Sequence, residues 1–168
     1  MNNQVENEVK DIFPLLGVGP KILIAFTPFM ILFGILNSYF HPVFRITINY
    51  HWIFIIGLTL SIFGILIFIY SERYIKSAYR TSELITTKIY AYVRHPMYAI
   101  WGLAILPGVL CLFNSWFLFL VLPIYYLIVR LFIIKEEQYL EKKFGEEYIN
   151  YKTQVNAFFP KLKKYKPN

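Results

Sequence analysis

The sequence predicts an all-α integral membrane protein with four transmembrane helices and a cytoplasmic amphipathic C-terminal helix. Composition is the first reason: 57% of the residues are hydrophobic, 20% aromatic and 16% charged, where a soluble domain carries about 25% charged residues. The second is clustering. Residues 22–44, 46–71 and 95–129 contain no Lys, Arg, Asp or Glu. A helix crossing the bilayer core needs about 20 apolar residues, so the first two runs supply one span each and the third is long enough for two. The third reason is the placement of the basic residues, taken up below. At 168 residues the chain is a single domain.

In chain order, residues 1–20 are mixed and polar and fit either an interfacial helix or a tail. Helix one is expected over 21–40, with Pro28 and Gly34 tolerated inside it because neighbours satisfy a membrane helix's backbone. The first run begins late, is too long for a signal h-region and lacks a small-residue cleavage site. A short loop, 41–50, precedes helix two over 51–72, where Gly57 and Gly64 permit close packing. Residues 73–93 are too polar to span, and Tyr74, Ala78 and Leu84 suggest an interfacial helix. Helix three is expected from Pro96 to Phe113, broken in its far half by Pro107-Gly108. Asn114-Ser115 is the turn signal. Helix four follows over 116–134, with a kink at Pro123. Beyond it Leu140, Phe144, Tyr148, Tyr151 and Val155 mark one face of an amphipathic helix that Gly145 interrupts. The tail PKLKKYKPN reads as basic and mobile.

Four spans divide the Lys and Arg residues sixteen to one, with Arg45 alone on the minor side. The positive-inside rule then places both termini and the 73–94 loop in the cytoplasm. Topology and anionic lipid account for the +7 charge without nucleic acid.

This topology gathers reactive side chains at one mouth. In YAYVRHPMY, residues 90–98, Pro96 suits a helix's first turn and biases His95 toward extended backbone. Arg94 and His95 stand where polar sequence gives way to a long apolar run. Because helices three and four form a hairpin, His95 lies level with Glu136 and Glu137. Each element has a plainer reading: a topology anchor for Arg94-His95, an aromatic belt for Tyr90, Tyr92 and Tyr98, and a solvated face for the glutamates. His41 and His51 read as structural, and Cys111 as a small side chain in an apolar run. Three His and one Cys show no metal-ligand spacing.

LITTKIYAYVRHPMY, followed by a helical hairpin and then KEEQYLEKKFGEEYINYKTQVNAFFP, resembles the isoprenylcysteine carboxyl methyltransferase family. That family belongs to a wider group of integral-membrane methyltransferases that includes the phospholipid N-methyltransferases. The resemblance covers roughly 80–160. It implies S-adenosylmethionine as cofactor, contacted by His95, Pro96, Met97 and Tyr98, by Tyr90, by Leu84 and Ile85 just before the turn, and by the glutamate pair, Glu136 and Glu137, with Glu136 the better match. The chemistry of the donor agrees. A glutamate suits an ammonium or a ribose diol, Arg94 and His95 suit a carboxylate, and aromatic rings suit adenine and a sulfonium. On this reading 1–72 holds the tail and first two helices, 73–160 the cofactor-binding core, and 161–168 the basic tail.

The chain departs from the family where Lys88 and Ile100 replace common glycines. It also has Phe132 where eukaryotic members carry an arginine near the acceptor, with Arg130 the nearest arginine here. The implied partners are the bilayer and a lipophilic or prenylated acceptor. A nicotinamide-dependent reductase of a lipid-like double bond is the alternative, but no phosphate-cradling glycine loop is present. A non-enzymatic membrane scaffold is a third reading, and it leaves the pairing of RHPMY with the glutamates unexplained.

Overall fold

The computed structural model describes residues 18–46, 49–79 and 83–166, the side chains of 76–79 excepted. The expectations for residues 1–17 and for Arg80 and the side chains of Lys76 and Ala78 lie outside that set. Among the described residues the chain is helical, with two isolated β-bridges.

Helix α1 spans Gly19–Phe44, opening on Pro20 and carrying Pro28 and Pro42 inside. Its hydroxyls are satisfied on the helix itself: Thr27 Oγ1 donates to Leu23 O at 2.8 Å and Ser38 Oγ to Gly34 O at 3.0 Å. In lipid such internal bonding is required. Helix α2 spans Tyr50–Tyr79 and so runs past the expected end at 72. Among the described residues of 73–93 the expected interfacial helix is not present. Residues 73–79 complete α2, 83–87 carry no helix, and Lys88–Ala91 make one 3-10 turn. Two causes are local. Ile85, Thr86 and Thr87 are β-branched and poor helix formers, and the Tyr74 hydroxyl hydrogen-bonds Thr87 Oγ1 at 2.5 Å, folding the segment back along α2.

Helix α3, Pro96–Cys111, is apolar but shorter than the other three. Pro96 occupies its first turn, as expected. Pro107-Gly108 does not break it. Pro107 lacks an N–H, and the ladder before it widens into a π-turn over Trp101–Ile105, with Leu106 N–H reaching Trp101 O. A 3-10 turn, Phe117–Leu120, leads into helix α4, Val121–Phe144. Pro123 therefore sits in the first turn of α4, where no N–H is needed, and is not a mid-helix kink. The amphipathic segment is not a separate helix either. Its first part continues α4, and only after Gly145, at φ 56° and ψ −131°, does the short helix α5, Glu146–Gln154, begin.

Among the described residues three segments are long and apolar enough to cross a membrane: Gly19–Phe44, Tyr50–Ile75 and Phe117–Phe144. At one end, Ile46 N–H donates to Asn114 O at 3.3 Å and Trp116 N–H to Phe44 O at 3.1 Å. The loop after α1 and the turn after α3 thus sit side by side, and Asn114 makes that turn at φ 50°. The site lies at the opposite end. Between the ends α1 packs on α4 and α2 on α3. A Cβ on Gly57 would lie 2.5 Å from Cys111 Cβ, and one on Gly64 2.8 Å from Ile105 Cγ1. The close packing expected of both glycines is therefore present. Leu110, Val121 and Val129 are fully buried at the centre.

Candidate functional site

The turn that carries RHPMY is held by the C-terminal segment. Arg94 N–H donates to Asn156 O at 2.9 Å and His95 N–H to Ala157 O at 3.1 Å, a parallel bridge of Val93 with Asn156. Further along, Lys161 N–H reaches Tyr92 O at 2.9 Å and Tyr165 N–H reaches Ala91 O at 3.0 Å. Tyr165 is buried with its ring 5.2 Å from that of Tyr151. The tail as far as Tyr165 is therefore docked rather than mobile, because its backbone completes the hydrogen bonding of residues 91–95.

Glu137 is the hub beneath this turn. It is 7% exposed, so it is not part of a solvated face. Its Oε1 accepts from Arg94 Nε at 3.1 Å and lies 3.3 Å from His95 Nε2, and its Oε2 is 3.0 Å from Lys152 Nζ. Arg94 also donates from Nη1 to the carbonyls of Lys152, at 2.8 Å, and of Val155. Lys152 is shared with Glu141 at 2.7 Å, and that hydrogen bond is the main reason its ammonium pKa is raised.

Glu136, one residue earlier on α4, turns the other way. It accepts from the Tyr98 hydroxyl at 3.1 Å, and its Oε1 lies 3.7 Å from His95 Nδ1. The His95 ring therefore stands between two carboxylates, stacked on Tyr98 with centroids 5.9 Å apart. Tyr98 is fixed in turn by Tyr125, whose hydroxyl donates to Tyr98 O at 3.1 Å.

These side chains border three cavities that share walls. The first holds about 710 Å³ with its mouth included. Leu84, Ile85, Tyr90, Arg94, His95 and Glu136 line it, joined by Tyr139, Leu140, Phe144, Tyr148 and Tyr151. A neck of about 210 Å³ shares Tyr90, Arg94, His95 and Glu136 with it and adds Pro96, Met97 and Tyr98. The third, again about 710 Å³, takes Met97 and Tyr98 from the neck and opens among apolar residues of α1, α2 and α3. Of the ten residues singled out in the sequence, nine line the first cavity or the neck. Glu137 lines none of the three.

Sequence reading placed the stripe of Leu140, Phe144, Tyr148 and Tyr151 on one helical face without its counterpart. Its helical spacing was visible; that it walls this cavity was not. The Tyr148 hydroxyl is buried with no hydrogen-bond partner among the described residues. Burial, then the Glu137 charge, pushes its pKa well above the usual phenol range, so it stays protonated. Tyr151 is held likewise by burial and donates to Tyr90 O at 2.5 Å.

The family model for phospholipid methyltransferases matches residues 52–147, more than half of the chain. The chain belongs to the phospholipid methyltransferase family. Among solved structures it is similar to the eukaryotic intramembrane Ras methyltransferase, isoprenylcysteine carboxyl methyltransferase. The identity is 25% and the TM-score 0.57, over 88% of this chain and 55% of that one. This chain thus spans about half the length of that protein. Comparison with curated proteins gave no match. The phospholipid methyltransferase match includes the neck, Glu136 and Tyr139, and stops short of the 148–165 segment whose backbone holds residues 91–95.

Proposed function

We propose that this chain transfers a methyl group from S-adenosylmethionine to a membrane-embedded, lipid-like acceptor. The observation that carries the reading is the adjacency of the cavities: a chamber lined by tyrosines, Arg94, His95 and Glu136 and an apolar chamber both share lining residues with a small cavity between them, the apolar one through Met97 and Tyr98. The first chamber's donor set fits this cofactor: the Glu136 carboxylate for an ammonium or ribose diol, the tyrosine rings for adenine and the sulfonium, and the Tyr148 hydroxyl as a buried group in need of a partner.

When bound, the cofactor supplies an electrophilic methyl group. The protein's own part is alignment and exclusion of water. Leu84, Ile85, Tyr90, His95, Pro96, Met97, Tyr98 and Glu136 form the binding set. Glu137 is assigned a positioning role: it fixes Arg94 and His95 from below. Arg94 spends its guanidinium on Glu137 and on C-terminal carbonyls, so it shapes the chamber more than it faces a ligand.

The same reading makes α3 the fourth crossing. The turn after it is bonded beside the end of α1, its first turn lines one cavity with Gly19, Pro20 and Glu72, and the positive-inside count favours both termini, α5 and the cofactor chamber in the cytoplasm. The acceptor enters sideways from the lipid into the apolar chamber.

Calorimetry on protein in mild detergent tests the assignment. S-adenosylmethionine or S-adenosylhomocysteine should bind and a nicotinamide dinucleotide should not; the reverse preference would favour a reductase. Glu136→Gln removes a charged hydrogen-bond partner worth about 1.5–3 kcal/mol, so cofactor binding should weaken roughly ten- to a hundredfold. The exposed Glu146→Gln should bind like the parent. Equal binding by both variants would withdraw Glu136 from the site.

A further inference from the structure

We propose that an anionic phospholipid binds on the outer face of α4, its phosphate held by Arg130 beside the docked C-terminal segment. Arg130 lies inside Phe117–Phe144, a segment long and apolar enough to cross a membrane. It is exposed, lines none of the three cavities, and has no hydrogen-bond or ion-pair partner among the described residues. A charged side chain within a span is costly unless something of opposite charge meets it. The cavities supply nothing to Arg130, so the partner comes from the lipid.

The surroundings of Arg130 set its depth. It stands six residues before Glu136, about 9 Å along the helix from the site end. From there a long basic side chain reaches the headgroups while its stem stays in the hydrocarbon. Tyr126 is one turn deeper on the same face. Its ring packs on two rings of the C-terminal segment, Phe158 with centroids 5.2 Å apart and Phe159 with centroids 5.7 Å apart. That segment therefore dips to the level of Tyr126 before the bond from Lys161 N–H to Tyr92 O brings it back. Phe158 is buried so tightly that a Cβ on Gly102 would lie 2.6 Å from its Cζ. Phe159 is 52% exposed, and Leu127, next to Tyr126, is 61% exposed. An acyl chain has an apolar bed there, with the guanidinium above it.

Charge selects the headgroup. Past Phe159 the chain carries Lys161, Lys163, Lys164 and Lys166 and no Asp or Glu. Lys161 Nζ is occupied with Gln154 O at 2.7 Å, while Lys163, Lys164 and Lys166 are exposed. The Arg130 fork of N–H donors matches phosphate oxygens. The lysines add positive potential, which draws a net negative lipid. A choline headgroup cancels its own phosphate with an ammonium, and a glycerol headgroup does not. This site is on the outside of α4, apart from both chambers, and the proposal holds whether or not the chain transfers methyl groups.

The test places a fluorophore at Leu127→Cys in a Cys111→Ala background, in nanodiscs of phosphatidylcholine. A minor fraction of the lipid is phosphatidylglycerol or phosphatidylcholine spin-labelled on the acyl chain. At equal mole fraction the glycerol lipid should quench about fivefold more effectively, the effect of one basic residue at an anionic surface. Arg130→Gln should remove most of that preference. A fluorophore at Ile62→Cys, on the exposed face of α2, should be quenched equally by the two lipids. Equal quenching at position 127 in the parent would overturn the proposal. So would a preference that survives Arg130→Gln intact, or one of the same size at position 62. Loss of the preference to excess inorganic phosphate at constant ionic strength would make Arg130 a site for a free anion and overturn the lipid assignment. The comparison with Arg130 in place needs no charge variant, so poor folding of Arg130→Gln does not rescue a failed result.

Discussion

In the most apolar windows of α1 and α2, 17% of the residues are buried within the protein. At the site end, Tyr90, Ala91, Val93, His95, Tyr98, Tyr148, Tyr151 and Val155 are each no more than 7% exposed. The first region leaves Ile24, Val43 and Trp52 outward, since surrounding lipid replaces water there and costs such residues nothing. The second region excludes water with its own atoms. It does so by pairing backbone with backbone, at Arg94–Asn156, His95–Ala157 and Tyr165–Ala91, and by surrounding one carboxylate with three cationic or hydrogen-bonding side chains. A helix pair held by shape and a turn held by polar bonds should fail in different ways.

The largest effect is expected at the polar end. Glu137→Gln keeps the shape and leaves the Arg94 guanidinium, itself 9% exposed, without its buried counter-charge. Breaking a buried pair from one side costs about 3–5 kcal/mol. Equilibrium unfolding in mixed micelles should show a loss of that order, and cofactor binding should fall because His95 loses its lower support. A loss below about 1 kcal/mol would mean that Arg94 is held by the Lys152 and Val155 carbonyls alone.

A smaller loss is expected in the membrane half, and without the effect on binding. A Cβ on Gly108 would lie 2.7 Å from Gly57 O and closer still to Ser61 Oγ. The neighbour is backbone, so the helices must part. Gly108→Ala should cost about 1–3 kcal/mol, as overpacking does, while calorimetric affinity for the cofactor stays at the parent value. Weakened binding in this variant would show that α2 and α3 transmit their separation to the site, and the two regions would no longer be independent.

What the sequence disclosed follows the same division. The outer helices were legible because lipid imposes composition on them, and three uncharged runs are hard to misread. His95 level with Glu136 was legible because a hairpin fixes both ends. The distinct duties of Glu136 and Glu137 were not. Adjacent residues on a helix point about 100° apart, and which one faces the chamber depends on Lys152 and on the carbonyls of 152–157. Those partners are largely backbone, which any residue supplies, so no motif marks them. Helix α3 was read too long at Phe113, and Pro107 too disruptive, because a π-turn leaves no signature in composition. The docked tail was read as mobile since its lysines are conspicuous and the N–H groups of Lys161 and Tyr165 are not.

The smallest effect probes the one place in the polar region where shape rather than hydrogen bonding is under tension. Lys88 has φ 54°, in the left-handed region that a non-glycine residue enters at a cost of about 1–2 kcal/mol. It opens the 3-10 turn that delivers Tyr90 to the chamber, and the resemblance noted in the sequence places a glycine there. What Lys88 gains is a ring: its Nζ lies 4.3 Å from the centroid of Tyr74, the residue whose hydroxyl holds Thr87. At an exposed site such a contact is worth about 0.5–1 kcal/mol. Lys88→Ala keeps the strain and loses the ring contact, so it should be less stable than the parent by about that amount. Lys88→Gly loses the contact and the strain together, and should be more stable than Lys88→Ala by about 1 kcal/mol. In a helix interior the order reverses, with Gly about 1 kcal/mol worse than Ala. The sign of the difference between the two variants therefore reports the backbone at position 88 directly. Alanine more stable than glycine in micelle unfolding would place Lys88 in ordinary helical geometry, and the turn that presents Tyr90 would need another cause.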